Sequence, residues 1–191
     1  MRIFDIHDPM LVEVLQKGSV GVLPTDTIYG VVADASNRQA VERLYNLKSR
    51  EKKPGTLIAA SVDQLVGLGL KRRYLKAVEH YWPGAVTVVV PTSGPETDYL
   101  DQGVGSLAVR VVADTQIIEL LEKTGPLVTS SANQPGETPA NTVEEAILYF
   151  GEKIDFCVDG GDLSGRKPST ILRVVDDTIE VLREGAVRIE A

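Results

Sequence analysis

Lys48 and Arg50 stand two residues apart, where a helix-forming run gives way to Glu51-Lys52-Lys53-Pro54-Gly55. Ser131 and Asn133 repeat that spacing where an apolar run passes into Gln134-Pro135-Gly136. In an extended segment residues i and i+2 share a face, whereas on a helix they diverge by about 200°. Both cations can serve one ligand only if the helix unwinds by Lys48, and Pro54-Gly55 favours such an early stop. A guanidinium fork beside an ammonium suits a phosphate or a carboxylate. The other reading of the pair is two helix C-terminal cations that complement the dipole. An asparagine amide at 133 can hold a purine edge or a phosphate oxygen; Asn133-Gln134-Pro135-Gly136 reads equally as a turn closed by an Asx bond.

Other polar residues also stand where regular elements end or run apolar. Thr25, Asp26 and Thr27 make a polar corner after the apolar run Ser19 to Leu23. In an extended conformation Thr25 and Thr27 share a face and Asp26 points the other way. Arg110 lies inside Ser106-Leu107-Ala108-Val109-Arg110-Val111-Val112. It either faces water or points inward, where it needs an anion as partner. Ser169, Thr170 and Arg183 add two hydroxyls and a further cation near the C-terminus.

The common nucleophilic and metal arrangements are missing. His7 and His80 are far apart and lack acidic or cysteine partners at ligand spacing, which argues against a histidine zinc site and a Ser-His-Asp triad. Residues 160–170 superficially resemble a P-loop, but Arg166 stands where lysine should follow the second glycine and Pro168 interrupts the helix that should start there. The only cysteine, Cys157, cannot form a disulfide within the chain. No run approaches the roughly 18 apolar residues of a membrane span, and the N-terminus lacks the form of a signal peptide, so the cytoplasm is the expected compartment.

The elements that must position these groups alternate along the chain. Asp8-Pro9 opens a helix that Gly18 closes, and Ser36 or Asn37 caps a second carrying Ala40, Val41, Leu44 and Leu47 at helical spacing. Residues 113–125 and 141–151 read as further capped helices. Strands are predicted over 19–23, 56–60, 85–90, 106–112, 126–130, 154–158, 169–175 and 178–184, the last two forming a hairpin across Asp176-Asp177-Thr178. This mixture predicts one α/β (mixed α+β) domain over residues 1–191. The net charge of −7 opposes binding to nucleic acid by overall charge. Three basic clusters, at 48–53, 71–76 and 166–167, read either as solvated faces or as a patch for an anion.

The motifs P-T-D-T-I-Y-G (24–30), K-S-R (48–50), W-P-G-A-V-T-V-V (82–89), A-V-R (108–110), S-S-A-N (130–133), S-T-I-L (169–172) and L-R-E-G-A (182–186) fall in one order along the chain. In that order they resemble the YrdC-like family from Pro24 to Ala186. The chain departs from the family's usual pattern at Glu51 and in Lys53-Pro54-Gly55-Thr56, so no site is assigned between 51 and 57.

The resemblance implies a single twisted open sheet of parallel and antiparallel strands with flanking helices and a large basic cavity. The activity it implies joins L-threonine, bicarbonate and ATP into L-threonylcarbamoyladenylate, releasing pyrophosphate. Other proteins would then transfer the threonylcarbamoyl group to adenosine in tRNA. Residue by residue, it implies L-threonine contacts for Thr25, Arg110, Thr129 and Ser169. Nucleotide contacts are implied for Lys48, Arg50, Ser106, Ser131, Asn133 and Arg183, with Lys48 and Arg50 also acting on developing charge. Mg²⁺ is expected to accompany ATP, with no dedicated carboxylate cluster to hold it. The alternative is a YrdC-like paralogue that binds RNA or nucleotide without synthase activity, to which the 71–76 cluster would contribute.

Overall fold

The computed structural model describes residues 1–175 and 178–189. Ten strands are described: β1 (Arg2–Phe4), β2 (Gly21–Pro24), β3 (Tyr29–Asp34), β4 (Thr56–Ala59), β5 (Val86–Pro91), β6 (Ser106–Val111), β7 (Leu127–Ser131), β8 (Phe156–Val158), β9 (Thr170–Val175) and β10 (Thr178–Arg183). Seven α-helices lie between them: α1 (Pro9–Gln16), α2 (Arg38–Leu47), α3 (Val62–Gly67), α4 (Arg72–Val78), α5 (Asp98–Asp101), α6 (Thr115–Thr124) and α7 (Val143–Phe150). All ten strands join one sheet in the order β1-β8-β2-β3-β7-β4-β6-β5-β9-β10. Four neighbouring pairs are parallel (β1–β8, β2–β8, β4–β6, β5–β9) and the other five are antiparallel, as the mixed pattern implied.

The helix ends follow from local chemistry. The Asp8 carboxylate accepts from the Met10 amide at 2.9 Å with Pro9 in the first turn, and Gly18 takes φ +87° just beyond the end. Asn37, not Ser36, caps α2 by accepting from the Ala40 amide at 3.1 Å. Asp114 and Thr142 cap α6 and α7, and Gly125 and Gly151 follow their last turns.

Two strands exceed the sequence expectation. β1 is only three residues long, too short to show alternation. β3 is buried at all six positions, so it has none to show. The expected strand at 19–23 begins at Gly21, and helices α3 and α4 occupy a region assigned no element. The hairpin of β9 and β10 is present, while residues 176 and 177 of its turn lie outside the described residues.

The sheet separates two cores. Leu23, Val32, Ile58 and Leu127 pack with Leu11 and Leu15 of α1 and Ile117, Leu120 and Leu121 of α6. Val22, Val31, Leu57 and Val109 face the other way, onto Ala40, Val41 and Leu44 of α2, Leu65 of α3, Leu75 of α4 and Ala146 of α7. Register then decides where the polar strand residues point. Thr56 and Thr129 are partners, Ala108 sits beside Thr56, and Arg110 beside Ile58. All four therefore project on the face that α1 and α6 occupy. No helix among the described residues is long and apolar enough to cross a membrane.

Candidate functional site

On that face a cavity of about 190 Å³ opens over the middle of the sheet. Thr25, Arg50, Arg110, Thr129, Ser131, Ser169 and Arg183 all line it, together with Thr56, Ser130 and the apolar Ala108 and Ile171. Seven of the ten residues singled out in the sequence are thus brought to one place. The resemblance implied a large basic cavity; this one is lined by three arginines but lies below the roughly 300–1,000 Å³ of pockets that hold drug-sized ligands.

The polar corner is a tight connection between β2 and β3. The Thr25 amide donates to the Ile28 carbonyl at 3.2 Å, and the Thr25 hydroxyl donates to the same oxygen at 2.7 Å. The Thr27 amide donates back to Thr25 Oγ1 at 3.2 Å, and the two threonine hydroxyls lie 3.1 Å apart. Both threonines line the cavity, and Tyr29 and Gly30 line it while returning the chain to the core. A side chain at Gly30 would overlap Thr129 Oγ1, so the glycine makes room for that hydroxyl.

Arg110 points inward and has its anion. Its Nη2 donates to Asp26 Oδ1 at 2.7 Å, with both side chains about 95% buried. Its Nη1 donates to Thr87 Oγ1 at 3.0 Å, and Thr87 lies 2.8 Å from Ser169 Oγ. Arg183 donates from Nε and Nη2 to the Ser169 carbonyl at 3.1 and 2.7 Å. Burial, and Arg110 nearby, push the Arg183 guanidinium below its usual range. Three buried side-chain atoms among the described residues have no hydrogen-bond partner: Asp26 Oδ2, Arg110 Nε and Ser130 Oγ.

The helix carrying the cation pair does unwind. α2 ends at Leu47, Lys48 is its C-cap, and Ser49 takes φ +48°. Lys52 also has a positive φ, at +50°, in a segment without glycine until Gly55. Gln102 secures this loop, accepting from the Lys53 amide and donating to the Arg50 carbonyl, both at 2.9 Å.

The two cations nevertheless part company. Arg50 turns to the cavity, its Nη1 donating to the carbonyls of Lys53 and Pro54 at 3.0 and 2.9 Å. Lys48, on the α2 side of the sheet, does not line the cavity. Its ammonium donates to Ser131 O at 2.8 Å, to Asn133 Oδ1 at 3.0 Å and to the Asn133 carbonyl. Lys48 is therefore a buried clamp on the 131–133 loop, not a cation resting on its own helix end. Burial, with Arg50 adding to it, pushes its amine down to about 8.

Asn133 Oδ1 also accepts from Ser131 Oγ at 2.7 Å, and Asn133 Nδ2 donates to the Glu137 carbonyl at 2.6 Å. Asn133 is thus committed to the turn, and only Ser131 of the S-x-N pair lines the cavity. Ser106 starts β6 opposite Pro91, on the Ala108–Arg110 face but beyond the cavity lining.

Several neighbours escaped the sequence reading. Asp26, Thr87, Pro54, Thr56 and Ser130 all belong to the cavity wall or its supports. Two signals could have found some of them: the need of Arg110 for an anion, and a threonine inside the apolar run Val86 to Val90. Pro54 and Thr56 fall in the segment left unassigned.

Other polar features lie apart. Residues 160–169 hold no helix, and Arg166 Nη1 approaches the Thr25 carbonyl at 3.5 Å, unlike a P-loop lysine. The 71–76 cluster sits on α4, across the sheet from the cavity, where Arg72 pairs with Asp63 at 2.5 Å and Arg73 lies over Tyr74. Cys157 is buried, and its thiol is pushed up to about 11, unsuited to nucleophilic attack at neutral pH.

Comparison with known proteins gives these features a context. Residues 13–185 match the Sua5/YciO/YrdC family, described as "Telomere recombination". A protein of Marinobacter nauticus named threonylcarbamoyl-AMP synthase is 37% identical over 163 residues, which cover 83% of this chain and 86% of that protein. The structure of P. abyssi Sua5 complexed with L-threonine superposes with a TM-score of 0.81 at 27% identity, over 92% of this chain and 53% of that one. The chain therefore spans about half of that Sua5 protein. E. coli YciO matches with a TM-score of 0.78 at 25% identity, over 92% of this chain and 87% of that one. On the match over residues 13–185, this chain belongs to the Sua5/YciO/YrdC family.

Proposed function

We propose that this chain forms L-threonylcarbamoyladenylate from L-threonine, bicarbonate and ATP, with release of pyrophosphate. The observation that carries the reading is the cavity itself: hydroxyls of Thr25, Thr27, Thr129 and Ser169 surround three guanidinium groups in an amino-acid-sized space. Its support from outside is that a relative bears the synthase name and a Sua5 protein binds L-threonine.

The chemistry suits such a lining. The threonine amine adds to carbon dioxide drawn from bicarbonate and loses a proton, giving a carbamate. A carbamate oxygen attacks the α-phosphorus of ATP, and the bond to the β-phosphate oxygen breaks to release pyrophosphate. Neither step requires a protein nucleophile, and the second rests on positioning and on neutralising charge. Carbamates are short-lived in water, so an enclosed site protects the intermediate. In this reading Arg110 and Arg183 bind the carboxylate, the hydroxyls orient the amino group, and Arg50 faces the phosphates. Mg²⁺ arrives with ATP, held mainly by phosphate oxygens and water. Among the described residues no group of three or more His, Cys, Asp or Glu could hold a metal. The carbamoylated product would pass to proteins that modify tRNA.

Lys48 acts on the nucleotide side through the 131–133 loop. Its amine is charged below about 8 and neutral above it. Turnover is therefore expected to fall as pH rises through about 8, as the clamp loses its charge. A pH profile of kcat checks this: the limb should vanish in Lys48→Arg, and an identical limb in that variant would assign it elsewhere.

Threonine binding provides the direct test. Calorimetric titration should show L-threonine binding to the wild-type chain. Thr25→Ala should weaken it about 10-fold while leaving ATP binding within twofold, because the Thr25 hydroxyl organises the corner through Thr27 and Ile28 and makes no bond to the K-x-R and S-x-N groups. Absence of threonine binding by folded wild-type protein would overturn the reading. Equal loss of threonine and ATP in Thr25→Ala would remove Thr25 from the amino-acid pocket.

A further inference from the structure

Asp26 stands between two cavity-lining threonines yet does not itself line the cavity. Its carboxylate reaches from the β2–β3 corner to Arg110, 84 positions away in sequence. Arg110 is held at a second point by Thr87, and Thr87 is held by Ser169, on which Arg183 rests. Asp26 and Arg183 thus close the two ends of one hydrogen-bonded chain around the cavity, buried at Arg110, Thr87 and Ser169.

Two features argue that the pair does more than brace the fold. A buried ion pair gives little net stability compared with well-packed apolar side chains. Here it also leaves Asp26 Oδ2 and Arg110 Nε without partners, so the pair is not arranged to satisfy itself. What it does provide is direction. Bonds to Nη2 from the corner and to Nη1 from β5 fix the guanidinium plane at two points. The remaining donors of Arg110 are left for a ligand in the cavity that this residue lines. Asp26 also offsets one of the three cationic charges around a space that a zwitterion would occupy.

We infer that Asp26 is a positioning residue for the amino-acid substrate: it sets the plane and direction of Arg110 so that the guanidinium meets the substrate carboxylate. This rests on the amino-acid reading of the cavity. A misplacement of about 1 Å in such a group can cost on the order of 100-fold.

The test compares wild type, Asp26→Asn and Asp26→Glu. L-Threonine affinity is measured by calorimetry, with steady-state KM for threonine and for ATP, and each protein's thermal melting is recorded. Glutamate keeps the charge and displaces it by one methylene, whereas asparagine keeps the shape and removes the charge. Both variants are expected to weaken threonine at least 10-fold, in Kd and in KM, with the ATP KM within twofold and melting still cooperative. Threonine affinity within twofold of wild type in either variant would overturn the proposal. So would a parallel loss for threonine and ATP with a lowered melting temperature, which marks a structural brace alone. If the wild-type chain itself binds no threonine, the amino-acid reading falls and this inference with it. If wild type binds and the variants bind equally, only the role of Asp26 falls.

Discussion

Arg110→Leu is expected to lower the unfolding free energy by about 3–5 kcal/mol. The loss comes from Asp26, whose carboxylate is about 95% buried and takes its charge-bearing bond from Arg110. Removing the guanidinium leaves that carboxylate enclosed with no partner, and Thr87 loses a donor as well. Chemical denaturation of the single variant, of Asp26→Leu and of the double variant measures the effect. Because the two side chains touch, their effects are not additive. The double variant should recover most of the loss, as apolar replacement of a whole buried pair is often neutral. It should not recover threonine binding. A double-variant loss equal to the sum of the two single losses would show that the pair carries no coupling. A double variant that binds threonine normally would remove Arg110 from the site.

Lys48→Ala and Arg50→Ala should each cost about 3–4 kcal/mol of transition-state stabilisation, or roughly 10²- to 10³-fold in kcat. The two losses have different origins, and a second measurement separates them. Lys48 fills three acceptors on Ser131 and Asn133, so its removal frees the 131–133 loop. Arg50 makes no bond to that loop; its acceptors are the carbonyls of Lys53 and Pro54. Hydrogen exchange of the amides in 131–137 should therefore accelerate in Lys48→Ala and stay near wild type in Arg50→Ala. Wild-type turnover in either variant would take that residue out of the machinery. Unchanged exchange in Lys48→Ala would contradict the clamp.

Local structure was largely legible in the sequence because its determinants are local. Asp8-Pro9 opens α1 as expected, Asn37 was one of the two cap candidates for α2, the helices expected over 113–125 and 141–151 are present, and glycines follow α1, α6 and α7. The unwinding at Lys48 was legible in Pro54-Gly55, although the two cations expected to share one face part company. Elements without periodicity were missed: β1 is three residues long, and β3 is buried at every position.

The strand order could not be read from one chain, since it depends on pairings between distant segments such as β3–β7 and β5–β9. The same holds for the site. The motifs carried Thr25, Arg50, Arg110, Thr129, Ser131, Ser169 and Arg183 to one cavity. The bonds that organise them span 84 positions for Asp26–Arg110, 82 for Thr87–Ser169 and 85 for Lys48–Asn133, and only the folded sheet brings those groups together. Arg110 announced that it needed an anion, but nothing local named Asp26. Nor did anything local to Lys48 name Ser131 and Asn133, whose loop its ammonium holds.

The measurement closest to the central claim is product formation by the purified chain. The protein is incubated with ATP, Mg²⁺ and bicarbonate, with and without L-threonine, and pyrophosphate release and the adenylate are followed together. The account predicts pyrophosphate and threonylcarbamoyladenylate in equal amounts only when threonine, bicarbonate and ATP are all present. Folded protein that yields no threonine- and bicarbonate-dependent product would contradict it.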